Sequence, residues 1–233
     1  MQRVFSFWFL VSSTHNQKPE TKNQKRKTQP ANPVPHQADS LPRAAVLHAA
    51  LVNLGVTHVL GLPDNGSAAL FDRLARDPAI ALLTVTREGE AFAIASGLWL
   101  GGKQPVVLIQ NTGLLESGDS LRGTAARMGV PLLCLVGYRG YAKMTAHGID
   151  PHRHPPDRHA LTRNDLDSVA LQTEPTLDAW GIPYHHYHTD RDAPVVAEAF
   201  VQAHREQRPV AVLLTRSLAH RGKSEPRVLM RET

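Results

Sequence analysis

Short apolar runs alternate with helix-like stretches from residue 43 to about residue 215. The apolar runs are rich in Val, Ile and Leu, which is typical of strands buried on both faces, and the stretches between them repeat apolar residues at helical spacing. Strands are predicted at 58–62, 80–85, 106–110, 131–136, 183–188 and 209–215. Helices are predicted at 44–54, 68–75, 90–100, 118–128, 171–180 and 194–206. This alternation predicts a doubly wound α/β domain, with a six-stranded, mostly parallel sheet and helices on both faces.

The composition divides the chain into three parts. Residues 1–42 are rich in Lys, Gln, Asn and Pro and hold +4 of the net charge of +5. We therefore expect a disordered basic extension at 1–42, a folded domain at 43–217 and a tail at 218–233. The folded part shows no basic stripe with interleaved aromatic residues, so nucleic acid is not an expected partner.

The sequence predicts no contact with a membrane. The apolar run at 4–11 follows a basic start, as in a signal peptide, but no convincing cleavage site follows it. No stretch has the ~20 apolar residues that a membrane-spanning helix needs. Cys134 is the only cysteine and lies in a predicted strand, so no disulfide forms within the chain. This usage is consistent with the cytoplasm, where we expect the protein to act.

Polar residues follow the predicted strands at the edge where open α/β sheets bind ligands. Glu88 lies where strand 80–85 leads into helix 90–100, and Gln110 and Asn111 form a polar, flexible tip after strand 106–110. A carboxylate in a first helical turn is also favoured by the helix dipole alone, which leaves a purely structural role open. The two amides either orient a ligand without adding charge or cap the strand.

Two further loops carry candidate ligand groups. Asp64 and Asn65 follow the first strand, where a turn role and a binding role are both open. Arg139 follows strand 131–136 and is either a surface residue in a turn or an anion-binding residue. A guanidinium group suits sulfonate, phosphonate and carboxylate ligands alike.

Four motifs together resemble the pyrimidine-binding (Pyr) domain of thiamine-diphosphate decarboxylases. The nearest look-alikes are the alpha subunit of sulfopyruvate decarboxylase and the matching half of phosphonopyruvate decarboxylase, and the resemblance covers roughly residues 43–215. The motifs are Gly61-Leu62-Pro63-Asp64, Arg87-Glu88-Gly89-Glu90-Ala91, Gln110-Asn111-Thr112-Gly113-Leu114 and Tyr138-Arg139-Gly140.

The resemblance implies a role for each candidate residue. Glu88 matches the family glutamate that hydrogen-bonds the aminopyrimidine ring of the cofactor, and Glu90 is its only rival. A wall of apolar residues at 91–95 is expected to help enclose Glu88. The other implied cofactor contacts are Pro63, Gln110 and Asn111, and the implied substrate contacts are Asp64, Asn65, Thr112 and Arg139.

The resemblance also implies that half of the active site lies on another chain. The family's diphosphate domain binds Mg²⁺ through a Gly-Asp-Gly run and a later Asn, and this sequence contains no Gly-Asp-Gly. We therefore expect no metal ligand here, a partner beta-type subunit that holds Mg²⁺ and the diphosphate, and a hetero-oligomer. The expected activity is decarboxylation of a small anionic 2-oxo acid, with sulfopyruvate first. The alternatives are phosphonopyruvate decarboxylation, another thiamine-dependent reaction, or a non-enzymatic flavodoxin-like binding subunit.

Two features depart from the family pattern. Glu116 brings a negative charge to an edge that is expected to bind anions. The loop at 146–159 holds His147, His152, His154 and His159. Neutral imidazoles bind zinc, but no cysteine accompanies them and nothing constrains their spacing. The resemblance instead favours a mobile loop beside the active site.

Overall fold

Six parallel strands form one sheet in the computed structural model, which describes residues 41–153 and 156–219. The strand order is β2-β1-β3-β4-β6-β5, and each neighbouring pair is parallel. The strands are β1 His58–Gly61, β2 Ala81–Thr84, β3 Pro105–Gln110, β4 Leu133–Gly137, β5 Tyr184–Tyr187 and β6 Val210–Leu214. The predicted doubly wound α/β fold is confirmed, and the sheet is parallel throughout.

The helices cover both faces of this sheet. They are α1 Ala44–Asn53, α2 Ala68–Leu74, α3 Glu88–Leu100, α4 Asn111–Glu116, α5 Tyr141–Ala146, α6 Arg158–Leu161, α7 Ser168–Trp180 and α8 Pro194–Glu206. A π-helical segment, Ser120–Ala126, follows α4, and a 3-10 turn, Asp190–Asp192, precedes α8. Within the described ranges, no helix combines the length and the apolar character needed to cross a membrane.

The sheet separates two hydrophobic cores. In β3, Val107 and Ile109 pack into the core that α3, α4 and α7 cover, whereas Val106 and Leu108 pack into the core that α1, α2 and α8 cover. Successive side chains of a strand point to opposite faces, so a central strand that is apolar at each position requires cover on both sides. Cys134 is buried in β4, and burial raises the pKa of its thiol to about 12.

The segment after β3 differs from its prediction. The predicted tip after Gln110 is helical, because α4 starts at Asn111, and the predicted helix 118–128 is present mainly as the π-helical segment. Leu114 and Leu121 are seven residues apart and both enter the same core. That burial stabilises helical backbone across Gly113, although glycine is a poor helix former.

The prediction that strand 80–85 is buried is wrong for most of β2. Ala81, Leu83 and Thr84 are exposed, and Leu83 keeps 37% of its surface accessible. β2 is an edge strand that pairs with β1 alone, whereas the central strands have neighbours on both sides. An apolar run does not distinguish an edge strand from a central one.

The connection between β4 and β5 contains more helix than the sequence indicates. It holds α5 and α6, which were expected to be loop, and α7 starts three residues earlier than predicted. The carboxylate of Asp167 accepts a hydrogen bond from the N–H of Val169 (3.3 Å) and caps α7. His154 lies outside the described residues.

The two ends of the described chain meet. The N–H of Ala44 donates to the carbonyl of Ala219 (3.0 Å), and the N–H of Ala219 donates to the carbonyl of Pro42 (2.8 Å). The expected extension up to residue 40 and the expected tail from residue 220 lie outside the described residues.

Candidate active site

A cleft of about 960 Å³ lies at the carboxyl edge of the sheet. Its walls are the segments that follow β1, β3, β4 and β6. The chain passes from β1 to β2 on one side and then returns to β3 on the other side of β1. Reversals of this kind open crevices in which α/β proteins bind ligands.

Five of the predicted site residues line this cleft, namely Pro63, Asp64, Asn65, Gln110 and Arg139. The three others, Glu88, Asn111 and Thr112, are not among its lining residues. Glu88 starts α3, on the face of the sheet opposite α2. The predicted residues thus occupy two regions at one edge of the sheet.

Glu88 lies against the backbone of α4. A Cβ atom on Gly113 would be 2.2 Å from Cγ of Glu88 and 2.4 Å from its Oε1 atom, so only glycine leaves room for this side chain. Glu88 is half-buried, and its carboxylate accepts no hydrogen bond from the described residues. The carboxylate is therefore available to a ligand.

Glu90 has a different environment from Glu88. Its carboxylate accepts hydrogen bonds from the N–H and hydroxyl of Thr86 and from the N–H of Arg87. The hydrogen bond from the backbone of Thr86 is the main cause that lowers the pKa of Glu90. The carboxylate of Glu90 therefore already has hydrogen-bond donors, as the acidic residue of a capping box at the start of α3.

Glu116 fastens the end of α4 to the start of α3. It pairs with the guanidinium group of Arg87, and its Oε2 atom accepts a hydrogen bond from the N–H of Gly89 (3.1 Å). The expected negative charge at this edge is present, but Arg87 balances it. The contact also joins the segments that carry Glu88 and Gly113.

Asn111 is fully buried and joins three elements. Its Nδ2 atom donates to the carbonyl of Arg139 after β4 (3.0 Å) and to Oγ1 of Thr173 in α7 (3.0 Å). Its Oδ1 atom has no partner among the described residues. The amide donors are thus used inside the fold, and a contact of Asn111 with cofactor stays a prediction.

The neighbouring residues at the end of β3 are more accessible. Thr112 is exposed, and its hydroxyl donates to Oε1 of Gln110 (3.2 Å). Gln110 itself is half-buried and lines the cleft. Contacts of these two residues with cofactor or substrate remain predictions.

Asp64 shapes the loop after β1. Its Oδ1 atom accepts from the N–H groups of Gly66 (2.6 Å) and Ser67 (3.2 Å), and its Oδ2 atom accepts from the hydroxyl of Ser67. These bonds fold the loop into a turn that leaves Pro63 and Asn65 exposed at the cleft.

Arg139 is paired within the protein. Its Nε atom lies 2.8 Å from Oδ2 of Asp167, at the start of α7. The cleft contains two cations that the sequence reasoning missed, Lys143 and Arg216. Lys143 follows β4 and Arg216 follows β6, at the same edge of the sheet as Arg139. Their position after a predicted strand is the sequence signal that could have identified them.

The histidine-rich loop contributes to a buried ionic cluster. Glu174 on α7 is 4% exposed, and its carboxylate accepts from Nε2 of His152 (2.7 Å) and Nε2 of His186 (3.0 Å). Burial opposes the charge of Glu174, but the hydrogen bonds and charges of His186 and His152 prevail and lower its pKa. The hydroxyl of Tyr184 lies 2.9 Å from Nε2 of His152. Within the described ranges, no set of His, Cys, Asp and Glu side chains has the arrangement of a metal site.

The sequence is similar to proteins that use thiamine diphosphate. A family model described as thiamine pyrophosphate enzyme, N-terminal TPP binding domain, matches residues 43–171, more than half of the chain. A phosphonopyruvate decarboxylase of Streptomyces viridochromogenes is 41% identical over 97 residues, which are 42% of this chain and 24% of that protein. The sulfopyruvate decarboxylase subunit alpha of Methanothermobacter thermautotrophicus is 30% identical over 94 residues, which are 40% of this chain and 57% of that subunit. The matches thus span less than two thirds of either relative.

Proposed function

The chain belongs to the thiamine pyrophosphate enzymes through their N-terminal TPP binding domain, and from this premise we propose that it is the Pyr-domain subunit of a two-chain 2-oxo acid decarboxylase. The activity is that of a carbon–carbon lyase that requires thiamine diphosphate. The relatives support this proposal, because both are named as decarboxylases of small anionic 2-oxo acids.

The arrangement of Glu88 and Gly113 is the observation that carries the proposal. A half-buried carboxylate without an internal hydrogen bond lies on a glycine whose Cβ would displace it. This geometry fits a carboxyl group that holds and shares a proton with a ring nitrogen of a bound aminopyrimidine. Bound thiamine diphosphate supplies the electron sink for the loss of carbon dioxide. Glu88 is the residue of this chain that orients and activates it.

A second chain completes the active site in this proposal. Mg²⁺ and the diphosphate are assigned to a partner of the beta type, which would carry the Gly-Asp-Gly run of the diphosphate domain. The similarity to proteins named as alpha subunits supports this division. The complex is a hetero-oligomer that acts in the cytoplasm.

Sulfopyruvate is the first proposed substrate, and it would yield sulfoacetaldehyde and carbon dioxide. The similarity to alpha subunits of sulfopyruvate decarboxylase supports it. Phosphonopyruvate is the second candidate, because the phosphonopyruvate decarboxylase of Streptomyces viridochromogenes has the higher identity, 41% against 30%.

The direct test is reconstitution with a chain that carries a diphosphate domain. Carbon dioxide release is measured with sulfopyruvate, phosphonopyruvate and pyruvate, with and without thiamine diphosphate and Mg²⁺. Cofactor-dependent turnover of an anionic 2-oxo acid supports the proposal. Its absence with every such partner favours the non-enzymatic binding subunit.

Substitution of two neighbouring acids tests the assignment of Glu88. Glu88→Gln removes the shared proton but keeps the shape of the side chain, so turnover should fall by about 10²–10⁴-fold. Glu90→Gln is the matched control, because Glu90 caps the start of α3. Its effect on turnover should be far smaller, because the amide oxygen of glutamine can still accept the capping-box hydrogen bonds. Equal losses of turnover in the two variants would contradict the assignment.

A further inference from the structure

The cleft at the carboxyl edge of the sheet contains more positive than negative charge. Three basic side chains line it, Arg139, Lys143 and Arg216, and Asp64 is the acidic residue among its lining residues. The carboxylate of Asp64 already accepts hydrogen bonds from its own loop. The cleft is therefore suited to an anion.

The three cations are not equally available. Arg139 is paired with Asp167, 2.8 Å away. Arg216 also has an interaction within the protein. Lys143 is exposed, and no acidic side chain of the described residues pairs with its ammonium group. Of the three, Lys143 is the cation best placed to bind a ligand.

The fold holds the backbone of Lys143 in place. On α5, Met144 is 1% exposed and packs into the core, and the ring of Tyr141 lies 4.9 Å from the ring of Tyr138. Residues 141 and 144 are three apart and share the inner side of the helix, so Lys143 lies on a different side. The inner residues anchor α5, while Lys143 lines the cleft.

We infer that Lys143 binds the second anionic group of the substrate, the sulfonate or phosphonate at the end opposite the 2-oxo carboxylate. This inference rests on the proposed function and adds to it a residue that selects dianionic over monoanionic 2-oxo acids. An ammonium group has three donors and no acceptor, which suits the several acceptor oxygens of a tetrahedral oxyanion. Ser217 provides an exposed hydroxyl group in the same cleft.

Lys143→Met tests this inference in the two-chain complex. It removes the charge and keeps a long side chain. The ratio of kcat/KM for sulfopyruvate to kcat/KM for pyruvate should fall about tenfold to a hundredfold, as expected for the loss of a hydrogen bond between charged groups. Lys143→Arg should recover a large part of the ratio, because it keeps the charge.

Lys103→Met is the matched control. Lys103 is also exposed, but it lies two residues before β3 starts at Pro105. It is therefore at the edge of the sheet opposite to Lys143. Its substitution should leave the substrate ratio unchanged. If Lys143→Met leaves the ratio unchanged as well, or if both variants lower it equally, the inference is wrong.

Chemical labelling separates a failure of this inference from a failure of the proposed function. Lys103 and Lys143 are the two lysines of the described ranges, so limited acetylation followed by mass spectrometry compares them directly. Sulfoacetate, a non-reacting dianion, should slow acetylation of Lys143 in the complex and leave Lys103 unaffected, whereas acetate should protect neither. Protection without decarboxylation of any 2-oxo acid would support the anion site and refute the enzyme. Decarboxylation of sulfopyruvate without protection of Lys143 would refute the anion site alone.

Discussion

Gly113 is the residue on which the position of Glu88 most depends. The Glu88 side chain occupies the space of the missing Cβ atom, and the ion pair of Arg87 with Glu116 joins the two helices that carry these residues. A glycine inside a helix costs stability relative to alanine. At this position the side chain of Glu88 uses the space that the glycine leaves.

Gly113→Ala should displace Glu88 and lower turnover of the reconstituted complex on the order of 10²-fold, since a shift of about 1 Å in a reacting group has an effect of this size. Gly97→Ala is the control, because a Cβ atom there meets no heavy atom within 4 Å. That variant should keep full turnover and gain about 0.5–1 kcal/mol in the free energy of unfolding. Steady-state kinetics and urea unfolding measure both effects. Full turnover in Gly113→Ala would show that this contact does not position Glu88.

At the scale of elements, the Glu174 cluster joins three segments that lie apart in sequence. Glu174 belongs to α7, His186 to β5, and His152 to the segment between α5 and α6. Asp178, one turn further along α7, lies 3.4 Å from Nδ1 of His152. The His-rich loop is thereby attached to the body of the domain at His152.

Glu174→Gln should destabilise the domain by about 1–3 kcal/mol near pH 7, because hydrogen bonds to a buried charged acceptor are weakened. The folded pKa of Glu174 is lowered, so its contribution is present above the unfolded value near 4.5 and is lost as the pH falls through the lower folded value. The difference in stability between wild type and variant should therefore narrow as the pH falls below 4.5.

Urea unfolding at several pH values measures this difference, and Glu198→Gln provides the control. Glu198 is exposed on α8 and takes part in no ion pair within the described ranges, so its substitution should change stability by less than about 0.5 kcal/mol. A constant difference between wild type and Glu174→Gln from pH 7 to pH 3 would refute the proposed ionic role.

At the scale of the whole molecule, the proposal divides one active site between two chains. In this proposal, this chain provides Glu88, the cleft and the contacts to the aminopyrimidine ring, and the partner provides the Gly-Asp-Gly motif for the diphosphate. Under this proposal, affinity for the cofactor depends on assembly.

Calorimetry with the isolated chain should detect only weak binding of thiamine diphosphate, with no dependence on Mg²⁺. Addition of the partner should produce Mg²⁺-dependent binding at least 10²-fold tighter, because charge-assisted contacts to the diphosphate each contribute about 1.5–3 kcal/mol. Tight, Mg²⁺-dependent binding by the isolated chain would contradict the two-chain proposal.

Sequence reasoning succeeded where the information is local. The periodicity of apolar residues predicted all six strands and the α/β fold, because each buried strand or helix needs its own apolar face. It failed for β2, whose exposure depends on its place at the edge of the sheet, and for α4, whose helical backbone depends on burial of Leu114. Both errors concern neighbours in space that are distant along the chain.

The candidate site shows the same difference between local sequence information and tertiary contacts. By itself the sequence determined that Glu88 lies where a strand leads into a helix, and that Asp64, Gln110 and Arg139 lie near the carboxyl ends of strands, because these positions follow from the order of the elements. Only the tertiary structure decided which polar groups remain available to a ligand. Arg139 is paired with Asp167, and Asn111 bonds to Thr173, whereas the carboxylate of Glu88 and the ammonium group of Lys143 have no such partner among the described residues. The physical reason is that these partners lie dozens of residues apart along the chain, so only the packing of helices against the sheet brings them within hydrogen-bonding distance.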